Sequence, residues 1–328
     1  MDLFLTDWLG TPLWLWAAFF TTVVALLALD LGVLHRKSRE IGVRESLLMS
    51  ALYIGVALAF GGWVWWHLGD AVAVDYLTGF VIEKSLAMDN IFVIAMIFTA
   101  FSIPRHLQHR VLFWGVLGVV VLRAAMIGMG VALVENFGWI LHVFAAFLIW
   151  TGISMWRSAG EEYDVKGSAI YRFLQARLPI TDGLRGHHFF VREQEPGKAK
   201  AALMVTPLFV ALLMVEFVDI IFAVDSIPAI FAITTDPFVV YTSNIFAILG
   251  LRALYFALAA MVHRFAYLKY ALAVLLIFVG SKIFFADLLG LEKVPPVVSL
   301  GISFSILAAG VGWSLWRTRQ ESGGGAVA

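Results

Sequence analysis

Cysteine is absent from the chain, so neither disulfide bonds nor thiolate metal ligands are available to it. Charge is scarce as well, because only 14% of the 328 residues are charged and the 23 basic residues balance the 23 acidic ones. This balance gives no sign of a nucleic-acid partner. The sequence also lacks a glycine-rich loop ending in Lys and Ser or Thr, the phosphate-binding loop of many ATPases. We therefore expect no thiol chemistry, no nucleic-acid binding and no ATP hydrolysis.

Apolar residues dominate instead, at 61% of the chain, and the mean hydropathy is +0.90. A soluble domain cannot bury that much apolar surface, so we expect an all-α polytopic membrane protein. A helix that crosses a bilayer needs about 20 apolar residues. Nine segments meet this requirement, at residues 12–34, 45–67, 71–103, 110–134, 138–157, 201–233, 238–261, 267–288 and 295–317.

The basic residues of the connecting segments lie almost entirely on one side of the predicted bundle. On the opposite side the connections contain a single basic residue, Lys293. Because cytoplasmic loops are enriched in Lys and Arg, we expect the N-terminus outside the cell and the C-terminus in the cytoplasm.

The chain divides into two predicted membrane halves, separated by a polar segment. Residues 1–157 hold helices 1–5, and residues 201–317 hold helices 6–9. Residues 158–200 are charged and contain Gly and Pro, which predicts a cytoplasmic linker with a short helix at 169–177. Residues 318–328 are rich in glycine and are predicted to be a disordered tail.

Two of the predicted helices carry acidic residues in the middle of their apolar sequence. Predicted helix 3 contains Glu83 and Asp89, and predicted helix 6 contains Glu216, Asp219 and Asp225. A charged group at bilayer depth costs on the order of 2.5–3.5 kcal/mol on insertion scales. We therefore expect these five acids to serve a function, and we take them as candidate metal ligands.

Three sets of matching residues indicate an internal repeat. They are Glu83 and Asp89 with Asp219 and Asp225, Arg123 with Arg252, and Gly152 with Gly280. The matched helices lie three spans apart, so they cross the membrane in opposite directions. This predicts an inverted 3+3 helix repeat, an arrangement of many secondary transporters whose substrate site lies near the midplane.

Predicted helix 6 also contains Pro228, which we expect to break it. A proline removes one helical hydrogen bond and crowds the carbonyl four residues back, which belongs here to Val224. That carbonyl would lie beside Asp225 as an additional ligand. Three further oxygen-bearing side chains are counted as additional ligands or as support: Asn90, Ser226 and Asn244.

Basic residues within the predicted spans offer a purely structural explanation for the acids, because buried ion pairs occur without any function. The candidate charge partners are Lys84, Arg123, Arg252 and Lys282. With Asp30 included, however, the acids in the spans outnumber these bases. The excess must either carry protons or be met by a cation.

The donor atoms favour a hard divalent cation. Carboxylate, amide, hydroxyl and carbonyl oxygens suit Mg²⁺, Ca²⁺ and Mn²⁺ better than Cu(I) or Zn²⁺. His142 is the one histidine well inside a predicted span, and we interpret it as a packing residue. Clustered carboxylates hold protons when the site is empty and release them when a cation binds, which suggests metal/proton exchange.

Several long motifs resemble the TerC family of integral membrane proteins, and especially its Alx branch. They are EKSLAMDN at 83–90, HFFVR at 188–192, FAVDSIPAIFAIT at 222–234 and TSNIFAILGLR at 242–252. The resemblance extends over nearly the whole chain and implies a manganese exporter of the bacterial inner membrane. The resemblance also carries two older functional descriptions of the family, tellurium resistance and membrane-bound redox modulator. The family's intramembrane acids match Glu83, Asp89, Glu216, Asp219 and Asp225.

Our favoured interpretation is a secondary transporter that exports a divalent cation, Mn²⁺ above others, in exchange for protons. We expect no enzymatic activity, no permanent cofactor and no partner other than the metal substrate and the lipid bilayer; the oligomeric state is left open. The alternative is a non-transporting scaffold of a metal-, tellurite- or redox-stress complex that docks partners on the 158–200 linker. A redox enzyme is disfavoured because the spans lack cysteine and a paired-histidine haem pattern.

Overall fold

The structure is a computed structural model that describes residues 7–32, 42–159, 164–194, 201–259, 267–290 and 294–324. Its helices are α1 (Leu13–Gly32), α2 (Val43–Leu68), α3 (Asp70–Ala100), α4 (Arg105–Asn136), α5 (Ile140–Arg157), α6 (Ala169–Arg177), α7 (Pro207–Phe231), α8 (Pro237–Ile248), α9 (Leu251–Leu258), α10 (Leu268–Leu288) and α11 (Pro296–Gly324). Its strands are β1 (Asp7–Trp8), β2 (Thr11–Pro12), β3 (Phe190–Gln194) and β4 (Ala201–Val205), which form two antiparallel pairs, β1 with β2 and β3 with β4.

The helices are those of a polytopic all-α membrane protein, as predicted. Within the described residues, 7 helices are long and apolar enough to cross a membrane: α2, α4, α5, α7, the combined α8–α9 segment, α10 and α11. Helix α3 is 31 residues long but is not among them, because Glu83, Lys84 and Asp89 interrupt its apolar sequence. Within α1, only the segment Leu13–Leu29 counts as an apolar helix, and it is shorter than the others. The number of nine spans and the inverted repeat stay predictions.

Both ends of the second half differ from the prediction. Predicted helix 6 starts too early, because Ala201–Val205 pairs with Phe190–Gln194 as a strand and α7 begins at Pro207. Proline fits the first helical position, where its missing N–H would have no helical partner. The predicted disordered tail is wrong for 318–324, because α11 continues to Gly324, and residues 325–328 lie outside the described part. The short linker helix Ala169–Arg177 is confirmed.

The helix break also lies elsewhere than predicted. Helix α7 continues through Pro228 to Phe231, and the amide of Ala232 donates to the Pro228 carbonyl at 3.0 Å. Pro228 lies in the last turn, so it removes one hydrogen bond close to where the helix ends in any case. Predicted helix 7 is the interrupted one, because Gly250 between α8 and α9 has φ +80°. A left-handed backbone of this kind favours glycine.

Helix α8 is the most interior of the spanning helices. The α8–α9 segment is almost entirely buried, and the side chains of Thr242, Ser243 and Asn244 are fully covered. Helices α2, α3 and α4 all pack against α8. A helix covered on every side can carry polar groups only where partners receive them, so α8 is suited to supply polar side chains to a central site.

Helices α5 and α10 pack closely through two glycines. A Cβ atom on Gly152 would lie 2.8 Å from the Ala273 carbonyl oxygen, and one on Gly280 would lie 2.6 Å from the Ala145 carbonyl oxygen. The contact is reciprocal. Gly152 meets Ala273, which precedes Gly280, and Gly280 meets Ala145, which precedes Gly152 by the same number of residues. A two-fold relation between the halves would require this reciprocity, which is therefore consistent with the predicted inverted repeat.

We predict that Gly152→Ala and Gly280→Ala destabilise the protein by similar amounts, about 1–3 kcal/mol each, because overpacking a close helix contact forces backbone shifts. The measurement is the thermal unfolding midpoint of the purified protein in detergent. Gly301→Ala in α11 is the control, since no atom lies within 4 Å of the added Cβ there. Equal unfolding midpoints for all three variants would contradict the close contact between α5 and α10.

Candidate functional site

The centre of the bundle is an ion-pair cluster around Arg123 of α4. The Arg123 side chain is 1% exposed and donates to Glu83 of α3 and to Asp219 of α7. The contacts to Asp219 are bidentate, with Nη2 3.2 Å from Oδ1 and Nε 3.3 Å from Oδ2. Planar pairing of this kind is the strongest arrangement that a guanidinium and a carboxylate can make. Arg123 is therefore confirmed as a charge partner, and it joins one acid from each predicted half.

Polar side chains complete the cluster. Arg123 Nη1 donates to Ser226 Oγ at 2.8 Å and to Asn244 Oδ1 at 3.3 Å. Asn90 Nδ2 donates to Asp219 Oδ1 at 3.3 Å, and Ser226 hydrogen-bonds to Glu83. Asn90 and Ser226 thus contact predicted acids, whereas Asn244 contacts Arg123.

Asp89 and Asp225 lie outside this cluster and line a common cavity. The cavity has a volume of about 420 Å³ and is bounded by α3, α5 and α7, with Lys269 of α10 and Asp164 of the linker also in its lining. We call it the linker-side cavity. In the described structure Asp89 Oδ1 is buried without a hydrogen-bond partner, as is Asn90 Oδ1. An acceptor buried in this way is ready to receive a cation or a proton.

A small space connects the linker-side cavity with the Arg123 cluster. It measures about 10 Å³, and its lining includes Asp89, Asp225, Asn90, Ser226 and Arg123. The two free acids and the ion-pair cluster are therefore neighbours. Asn90 and Ser226 lie next to Asp89 and Asp225 in sequence, so they link the cavity acids to the paired acids.

The five predicted metal ligands do not form one cage. Within the described residues, no three His, Asp or Glu side chains are close enough to hold a metal together. Two of the acids are bound by Arg123 and two line the linker-side cavity. The fifth, Glu216, lies against Gly118 of α4, and its Oε2 is buried with no hydrogen-bond partner among the described residues. The metal-ligand assignment stays a prediction.

The remaining predicted charge partners have other contacts. Lys84 donates to the carbonyls of Ala247 at 2.9 Å and Leu249 at 3.4 Å, at the end of α8. A cation at a helix C-terminus satisfies free carbonyls and opposes the negative end of the helix dipole. Lys84 thus stabilises the α8–α9 break. Arg252 is buried at the start of α9, and Lys282 donates to Ser299 at 3.3 Å.

Two further positions can be compared with the sequence prediction. His142 of α5 packs against α10 with a partner that the sequence did not indicate, because its Nε2 lies 2.6 Å from Asp287 Oδ2 and its ring centroid lies 6.0 Å from that of Phe284; its side chain is 48% exposed. No short-range pattern indicates this pair, since the two residues are far apart in the chain. The Val224 carbonyl has lost its helical donor to Pro228, as predicted, but the Val224 side chain is exposed and does not line the linker-side cavity.

Comparisons with known proteins agree on the family. Residues 68–322 match the description "Integral membrane protein TerC family". The chain is 48% identical over 311 residues to an uncharacterized membrane protein of Myxococcus xanthus, covering 95% of this chain and 94% of the relative. It is 44% identical over 302 residues to an uncharacterized membrane protein of Rickettsia bellii, covering 92% and 97%.

A further relative has a functional name. The chain is 44% identical over 327 residues to Alx of Escherichia coli (strain K12), provisionally named a membrane-bound redox modulator, and the match covers 96% of this chain and 99% of the relative. No solved structure matches the chain.

The spanning helices and the buried charges at their centre define a multi-pass membrane protein with an intramembrane polar site. More specifically, the chain belongs to the TerC family of integral membrane proteins and has named homologues in Alx.

We predict that Arg123→Ala lowers stability by about 3–5 kcal/mol, because it leaves Glu83 and Asp219 buried without their cation. The measurement is the amount of folded protein in the membrane. Replacing Arg123 with Met together with Glu83→Gln and Asp219→Asn removes all three charges and should recover most of that amount. Normal abundance of Arg123→Ala with lost function would instead make Arg123 a functional residue.

Proposed function

We propose that the protein is a secondary transporter that moves a hard divalent cation, Mn²⁺ above others, out of the cytoplasm in exchange for protons. In this proposal it resides in the bacterial inner membrane with the linker in the cytoplasm. It transforms no substrate and holds no permanent cofactor. The observation that carries the proposal is the shared position of Asp89 and Asp225 in the linker-side cavity.

The charge balance of that cavity favours cations. Its lining includes three acids and one base, namely Asp89, Asp164, Asp225 and Lys269. A concave site with an excess of one charge sign raises the local concentration of oppositely charged ions. The buried oxygen atoms of Asp89 and Asn90 without partners give an arriving cation hard ligands at the inner end.

The pairing of Glu83 and Asp219 with Arg123 supports transport of the cation rather than its permanent binding. Because Glu83 and Asp219 already share Arg123 as a partner, they are less available to trap a divalent cation. Two carboxylates with neutral oxygen ligands bind more weakly than a cage of five, and a transport site must release what it binds. The inverted repeat, if present, would place this site between the halves.

We predict that Asp225→Asn and Asp89→Asn each abolish export while leaving membrane abundance unchanged, since the removed charge faces a cavity. The measurement is the Mn content of Mn-loaded, exporter-deficient bacteria that express each variant. Glu135→Gln at the exposed end of α4 is the control for removing a carboxylate. Unchanged metal content with the intact chain would reject transport, and loss in Asp225→Asn alone would reject a site shared between the halves.

Proton exchange makes a separate prediction in vesicles that contain the purified protein. Imposed Mn²⁺ movement should drive protons in the opposite direction, because carboxylates that give up a cation take up protons. A pH-sensitive dye inside the vesicles measures this flux, and Asp225→Asn should abolish it. Mn²⁺ movement without any proton flux would refute exchange while leaving cation transport in place.

A scaffold is the second candidate function, and the folded linker favours it. Strands β3 and β4 form a hairpin next to α7, and Arg185 pairs with Glu193 of that hairpin. The hydrogen bond from Arg185 holds the pKa of Glu193 below its ordinary value. Deleting the hairpin should abolish a docking function but not the metal effect. Because the chain lacks cysteine, a redox role would not involve thiols of its own.

A further inference from the structure

A second cavity lies at the other end of the helices that border the linker-side cavity. It measures about 170 Å³ and is lined by the start of α5, the end of α7 and the end of α10. We call it the far-side cavity. The linker-side cavity is bordered by the C-terminal part of α5, the middle of α7 and the start of α10. The two cavities therefore lie on one line along the same three helices.

An apolar seal separates the two cavities. Leu148 of α5, Ala229 of α7 and Leu276 and Val279 of α10 are fully buried and belong to one packed cluster. Leu276 also lines the small space beside Asp89 and Asp225. The seal thus begins directly behind the cavity acids. Asp89 and Asp225 therefore lie on the linker side of the seal.

His142 and Asp287 join α5 and α10 in the far-side cavity. Both line it, and their side chains are 48% and 59% exposed. Carboxylate is a ligand that Mn²⁺ prefers, and neutral imidazole is a ligand for divalent transition metals in general. Lys282 also lines the cavity, and its positive charge opposes tight binding of a cation. A weak site of this kind suits release rather than storage.

We propose that the far-side cavity is the second mouth of the cation path, and that His142 and Asp287 form a divalent-cation site there. This inference rests on the proposed function and adds the place where the cation leaves. In the structure the two side chains bind each other across the α5–α10 contact. A cation that reaches the cavity takes both as ligands, with water completing its coordination.

The absence of cysteine makes the test direct, because a single introduced thiol is the only one in the chain. Ile283→Cys places it in the far-side cavity, and Phe285→Cys places it on the exposed face of the same helix as a control. Ser154→Cys marks the linker-side cavity. The protein is reconstituted in vesicles and treated from each side with a thiol reagent that does not cross membranes.

We expect Ile283→Cys to react from the side opposite the linker, and we expect Mn²⁺ alone to slow that reaction. Adding Asp287→Asn or His142→Ala should raise the Mn²⁺ concentration needed for protection at least about tenfold, since a ligand is lost. Protection of Ser154→Cys should not change. Phe285→Cys should show no protection by Mn²⁺, because it does not line the cavity.

Protection by Mn²⁺ does not depend on transport, so the two proposals fail separately. If the intact chain moves no metal, the transporter proposal fails, while loss of protection in Asp287→Asn still supports the far-side site. The inference is overturned if Ile283→Cys does not react from the far side. It is also overturned if Mn²⁺ gives no protection, or if protection is the same with and without His142 and Asp287.

Discussion

The pairing of Arg123 with Glu83 and Asp219 is the interaction on which the rest of the site depends. Ionisable groups inside a bilayer are tolerated only when they have partners, so this cluster fixes α3, α4 and α7 relative to one another. Asn244 extends the contact to α8. The cluster also joins the two predicted halves, because Glu83 comes from the first and Asp219 from the second.

The helical repeat then determines what the other two acids do. Asp89 follows Glu83 by the same spacing as Asp225 follows Asp219, and a separation of six residues turns a side chain by about 120° around an α-helix. If the first acid of each pair faces Arg123, the second points to a different side of its helix. Both second acids reach the linker-side cavity because α3 and α7 pack together around the cluster. The Arg123 cluster thus leaves a matched pair of carboxylates at the linker-side cavity.

The sequence predicts where the helices lie and which acids fall within them, because apolar segments and the charges that interrupt them are local signals. It does not predict which partners Arg123 contacts, since that depends on how α4 packs against α7 and α8 and how α3 packs against α7. The position of the helix break was wrong for a related reason. Pro228 is a strong local signal but lies at a helix end, whereas the interruption at Gly250 is stabilised by Lys84 from another helix. The pair of His142 and Asp287 has no local signal at all.

The same cluster restricts where a transporter of this architecture can move. Rearranging Arg123 would expose several buried polar groups to an apolar environment at once, at a high cost in free energy. The α5–α10 pair is different, because it is held by apolar contacts, by the close approach at Gly152 and Gly280, and by one contact between His142 and Asp287 that is about half exposed. Exposed ion pairs contribute little to stability, about 0–1 kcal/mol. In the proposed transporter, a change of access from the linker-side cavity to the far-side cavity would therefore cost least if the Arg123 cluster stayed fixed and the apolar seal between α5, α7 and α10 opened.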